Sequence, residues 1–140
     1  MSGFDVAAAE AVVRERLAPW LQEMNLKVAA VGEDTIVLRL PFDARLARFD
    51  GVLSGQATMA LADTAMIFVV SAVNGGFVEM ATTNLSISFF RPVVGKDLIA
   101  RGKALKTGKL LVFGEVMLFA DGDDRPVAHA TCTYALPPSR

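Results

Sequence analysis

The sequence predicts an α+β domain in which an antiparallel sheet wraps one long apolar helix, with an extra helix at the N-terminus. Three observations carry this. Residues 55–73 (GQATMALADTAMIFVVSAV) are apolar on nearly every face, as a buried helix is. Four strand-like segments follow, at 78–90, 97–105, 110–120 and 127–136. Between the last three stand the turn-like residues 106–109 (KTGK) and 121–124 (DGDD), and such short connections make their neighbours antiparallel.

Taken in order, residues 5–24 place Val6, Val13, Leu17, Trp20, Leu21 and Met24 at three- and four-residue steps, with Asp5 as N-cap and Pro19 as a break. This is a peripheral amphipathic helix. From Thr35 the period changes to two, with Ile36, Leu38, Leu40 and Phe42 on one face and Arg39 on the other, which is read as the first strand. Ser54 caps the apolar helix and Asn74, Gly75 and Gly76 stop it. In 78–90, Ala81, Thr83, Leu85, Ile87 and Phe89 alternate with Thr82, Asn84, Ser86 and Ser88, a half-buried strand that ends at Arg91 and Pro92. The last four strands are expected to form a meander around the helix.

At 140 residues the chain has the length of one ordinary domain, read here as 1–140 with an N-terminal helical segment (1–30) and a core (31–137). Its 14 basic and 15 acidic residues form no long run of either sign, which argues against nucleic acid or an anionic membrane as partner. A hydrophobic content of 53% points to apolar surface buried between subunits as well as within one, hence a homo-oligomer. Cys132 is the only cysteine, which suits a reducing compartment and excludes a zinc site of several cysteines. Asp5, Glu10 and Glu15 interrupt the region where a signal peptide is apolar, so a cytoplasmic location is expected. Gln56, Thr58, Asp63, Thr64 and Ser71 interrupt the long apolar run, which weighs against a transmembrane helix.

Asp63 is the point of chemical interest, because an unpaired carboxylate costs several kcal/mol to bury and persists in an apolar helix only where something compensates or uses it. Ser54 and Gly55 open the same helix, where free backbone N–H groups and the positive end of the helix dipole suit an oxyanion. The plainer reading, Ser54 as a cap and Gly55 as a packing residue, stands beside it. Asp63 lies eight residues beyond Gly55, roughly 12 Å along a helix. One chain therefore hardly brings both groups to one carbon, whereas two antiparallel helices across a two-fold axis do. In that arrangement Asp63 activates water or attacks an acyl carbon itself; both remain open, as does a structural Asp63 held by Thr58, Thr64 or backbone donors.

Other constellations are poorly supplied. His129, the only histidine, reads as a strand residue and Cys132 as a packed thiol; no metal-ligand cluster or glycine-rich phosphate loop is present, and no metal or redox cofactor is expected.

The order of a strand, an apolar helix with an internal acid and a strand ending Phe-Arg-Pro resembles the hotdog-fold acyl-CoA thioesterases of the phenylacetate-degradation type, over about residues 34–136. Residues 51–66 (GVLSGQATMALADTAM) are similar to that family's His-Gly-Gly signature and the acid nine residues after its histidine, with Ser54, Gly55 and Gln56 at the signature and Asp63 at the acid. Residues 82–92 (TTNLSISFFRP) and 105–113 (LKTGKLLVF) are further matches.

The resemblance implies hydrolysis of an acyl-CoA thioester, coenzyme A being part of the substrate, in a homodimer or homotetramer with sites between subunits. Asp63 would be base or nucleophile, the Gly55 N–H would polarise the thioester carbonyl from the partner chain, and Thr82 would orient the water. Lys106 and Lys109 would lie near the coenzyme A phosphates. Arg48, Ser54, Gln56, Thr64 and Asn84 complete the expected substrate-binding set. Ser54 replaces the signature histidine, Gln56 its second glycine, and Arg48 stands where relatives often carry Asn or Gln, so the substrate's head is expected to be held differently. A non-catalytic acyl-CoA- or lipid-binding hotdog protein is the alternative, and a hotdog dehydratase a more distant one.

Overall fold

The computed structural model describes residues 3–138; Met1, Ser2, Ser139 and Arg140 lie outside the described residues. Helix α1 (Val6–Glu15) begins where Asp5 Oδ1 accepts the Ala8 N–H at 2.8 Å, and it buries Ala9, Val12 and Val13. A short α2 (Pro19–Gln22) starts on Pro19. The single N-terminal helix read from the sequence is thus two, since proline fits the first turn of a helix and disrupts its interior.

The expectation that the first strand starts at Thr35 is corrected. Strand β1 (Lys27–Val31) precedes β2 (Thr35–Leu40), and the two form a hairpin closed by the Gly32 N–H donating to the Thr35 carbonyl at 3.0 Å. Only Val28 of β1 is buried, so a strand on the sheet edge with two exposed alanines lacked the alternation that reveals a half-buried one. The other strands are β3 (Ala81–Phe89), β4 (Leu98–Thr107), β5 (Leu111–Ala120) and β6 (Pro126–Ala135). The sheet order is β1-β2-β4-β5-β6-β3, antiparallel throughout. The meander therefore comprises β4, β5 and β6; β3 does not lead into it but returns to the far edge beside β6.

Helix α3 (Gly55–Asn74) lies along one face of this sheet. Ser54 Oγ accepts the Ala57 N–H at 3.2 Å, and Gly75 adopts φ 77°, a left-handed conformation that glycine enters without Cβ strain. The Gly75 and Gly76 N–H groups then close on the carbonyls of Ala72 and Ser71, which ends the helix. By length and composition α3 could cross a membrane, but most of it is buried inside the fold, with Leu61, Ala65, Met66, Phe68 and Val69 at 0% exposure. Gly102 and Gly114 let the helix sit this close. A methyl on Gly102 would lie 3.0 Å from Val69, and one on Gly114 would lie 2.5 Å from the Met66 sulfur.

Candidate active site

Asp63 is half-buried in the middle of α3, and two side chains from the sheet converge on it. Thr82 of β3 donates its hydroxyl to Asp63 Oδ1 at 2.9 Å. Tyr134 of β6 lies 2.6 Å from the same Oδ1 and 2.7 Å from the Asp63 carbonyl oxygen. Hydrogen bonds to a charged acceptor are each worth about 1.5–3 kcal/mol, enough in sum to offset much of the cost of holding a carboxylate against an apolar helix. Burial, and next the bond to Asp63, push the Tyr134 phenol pKa up, so it stays a protonated donor.

A bulge decides Thr82's part. Inward-facing Cys132, Ala130 and Ala128 pair with Leu85, Ile87 and Phe89, but the register of β3 against β6 shifts between Thr82 and Asn84, where Thr82 pairs with Tyr134 and Asn84 with Thr133. Simple alternation puts Thr82 on the face of Asn84, Ser86 and Ser88. The extra residue turns it to the inward face, toward Asp63. Asn84 keeps the opposite face and does not meet the acid.

Tyr134 is the site residue that the sequence reading missed. It is the chain's only tyrosine, 2% exposed on an inward strand face, and a buried phenol needs a hydrogen-bond partner. Asp63, itself short of donors, was the partner that signal pointed to.

The start of α3 forms a second station. Ser54 takes the Ala57 N–H on its hydroxyl and the Thr58 N–H on its carbonyl, so among the described residues the Gly55 and Gln56 N–H groups remain at the helix mouth. Gly55 opens on a cleft of about 390 Å³ that Arg48, Thr58, Phe89, Phe90 and Arg91 also line. A ring carbon of Phe89 lies 3.5 Å from where a Gly55 Cβ would stand, so the missing side chain makes room for that ring as well as for a ligand. Ser54 and exposed Gln56 face a separate hollow of about 350 Å³, shared with Trp20, Met24 and Leu46. Arg48 is held by Asp50, with Nη2 at 2.7 Å and Nε at 3.2 Å from its two oxygens.

The remaining expected residues lie elsewhere. Thr64 is 2% exposed among core side chains. Lys106 is exposed at the end of β4 and Lys109 in the turn to β5; neighbouring Thr107 lines a hollow with Ala72 to Gly75, at the C-terminal end of α3. That end is about 28 Å from Gly55 along the helix. His129 pairs with Glu115 at 3.1 Å on the sheet's outer face, with Lys103 3.6 Å from the same carboxylate. Among the described residues no group of three or more His, Cys, Asp or Glu side chains is placed to share a metal ion.

A sheet wrapped on one apolar helix, with a carboxylate gripped midway along that helix and free N–H groups at its start, defines a hotdog-fold acid site. Residues 50–134 match the thioesterase superfamily, and the chain belongs to it, among the thioester hydrolases. A structure from Silicibacter sp. TM1040, described as that of a thioesterase, superposes with TM-score 0.86 at 34% identity, covering 96% of this chain and 93% of the other. The E. coli PaaI protein from the phenylacetic acid degradation operon shares the fold with TM-score 0.82 at 17% identity, covering 94% of this chain and 91% of that one. A Thermoplasma acidophilum protein named as an esterase is 24% identical over 115 residues, which are 82% of this chain and 86% of that one.

Proposed function

We propose that the protein hydrolyses an acyl-CoA thioester in a site shared by two subunits. The observation that carries this is the carboxylate of Asp63, half-buried on an apolar helix and fixed by Thr82 and Tyr134. As general base, Asp63 takes a proton from water while the water oxygen bonds to the acyl carbon, and the carbonyl electrons move onto oxygen, beside the Gly55 N–H of the partner subunit. Collapse expels the thiolate of coenzyme A, which recovers the proton from Asp63. Direct attack by Asp63 through an acyl anhydride is the other route to the same products.

The need for a second copy rests on distance, since Asp63 and Gly55 of one chain are about 12 Å apart. Surface chemistry agrees. Strand β3 is a sheet edge with a row of backbone groups open to pairing, and Phe89, Phe90 and Val94 beside it are each more than half exposed. Phe49, at the tip of the loop leading to α3, is fully exposed, as befits a side chain covered by another subunit. In such a dimer the coenzyme A moiety runs toward the end of α3 where Lys106 and Lys109 lie.

The test is free thiol released from a panel of short, long, branched and aromatic acyl-CoAs. Wild type is expected to turn over at least one of them, and Asp63→Asn none, with acyl-CoA binding retained. An Asp63→Asn protein with near wild-type rates refutes the assignment, and binding without release across the whole panel replaces it with a carrier role.

A further inference from the structure

The two oxygens of Asp63 are not equivalent. Among the described residues, both side-chain donors that reach the carboxylate, the Thr82 hydroxyl and the Tyr134 phenol, fall on Oδ1, at 2.9 and 2.6 Å. We propose that Tyr134 is a positioning residue for hydrolysis: with Thr82 it locks Oδ1 and so presents Oδ2 as the oxygen that meets water or the acyl carbon. This rests on the thioesterase reading of the site and adds a division of labour within it.

Geometry supports a fixed, not a swivelling, carboxylate. The phenol also lies 2.7 Å from the Asp63 carbonyl oxygen, so Tyr134 is aligned with backbone and side chain of the same residue at once. Tyr134 is 2% exposed on the inward face of β6, which leaves its ring little room to follow a rotating acid. Thr82 reaches Oδ1 only because of the β3 bulge, and the pairing of Thr82 with Tyr134 across the strands sets the two donors side by side. An acid held on one oxygen keeps its lone pairs on the other aimed at a constant point, which favours a near-attack arrangement.

The consequence for substitution is specific. Asp63→Asn retains an Oδ1 acceptor for both donors and replaces only the reacting oxygen, so it is expected to melt with wild type while losing turnover. Tyr134→Phe keeps the ring and removes one donor: kcat is expected to fall about tenfold with KM within about twofold, because ground-state binding does not use the phenol. Thr82→Val, on an exposed strand, removes the other donor and is expected to lower kcat about threefold or more at constant KM, while Thr82→Ser restores it.

The measurement is steady-state thiol release by these variants and wild type, with circular dichroism melts to confirm folding. The expected kcat losses at constant KM support the assignment. Wild-type kcat in Tyr134→Phe, or a loss that lies in KM alone, overturns it. Should Tyr134→Phe melt below assay temperature, Thr82→Val decides: an unchanged kcat there overturns the role of Oδ1. Active wild type with inactive Asp63→Asn shows that the thioesterase reading holds, so those outcomes bear on the positioning role alone. A wild type that releases thiol from no acyl-CoA removes both.

Discussion

Cys132 stands two positions before Tyr134 on the inward face of β6, 2% exposed and close enough to Asp63 to feel its charge. Burial first, and the Asp63 carboxylate second, push its thiol up to about 12, so at pH 8 only about one molecule in ten thousand carries a thiolate. Native protein is therefore expected to be silent to a thiol-specific dye at pH 8 and to react with one equivalent in denaturant; rapid labelling of the folded protein contradicts this. The same neighbourhood shows what a sequence can reveal at this scale. Asp63 is visible because its polarity clashes with its apolar neighbours in the chain. Tyr134 sits 71 positions away, and nothing in its own neighbourhood links it to the acid except its need for a partner.

Among elements, the contact between α3 and the sheet depends on positions with no side chain. A methyl on Gly114 would meet the flexible Met66 but also the Lys103 carbonyl oxygen at 2.9 Å, which cannot move aside without disturbing β4. Gly114→Ala is expected to destabilise by about 1–3 kcal/mol, read as a lower urea midpoint at unchanged slope. A midpoint equal to wild type shows that the sheet yields freely there. The ends of α3 were legible because Ser54 and Gly75 act through bonds within a few residues. Strand β1 was not, since its single buried residue leaves no periodicity to read.

For the whole molecule, the separation of Asp63 from Gly55 and the exposed aromatics near β3 call for a second copy. Sedimentation at assay concentration is expected to give about two or four times the 14.9 kDa chain, and a fully active monomer would sink the shared site. Across the outer face, Glu115 of β5 bridges Lys103 of β4 and His129 of β6, three adjacent strands. The His129 hydrogen bond first, and the nearby Lys103 charge, hold the Glu115 carboxyl below its usual range. A depressed carboxyl contributes stability at neutral pH that is lost as pH falls below the ordinary glutamate value of about 4.3. Glu115→Gln is accordingly expected to melt below wild type at pH 7, with a gap that is smaller at pH 3. A gap of the same size at both pH values means that the ionised form of Glu115 contributes nothing.

The sequence by itself determined what neighbours along the chain decide: the apolar helix with its cap and stop, the strand periodicities, and an acid too costly to be incidental. The sheet around the helix is expected from those patterns together, because strand periodicities joined by short turns supply an antiparallel layer against which so apolar a helix can be buried. Tertiary structure alone decided which oxygen of Asp63 is held and by whom. That choice depends on a bulge that turns Thr82 inward and on β3 returning to pair with β6, both products of pairings between strands far apart in the chain. Local alternation carries no record of them.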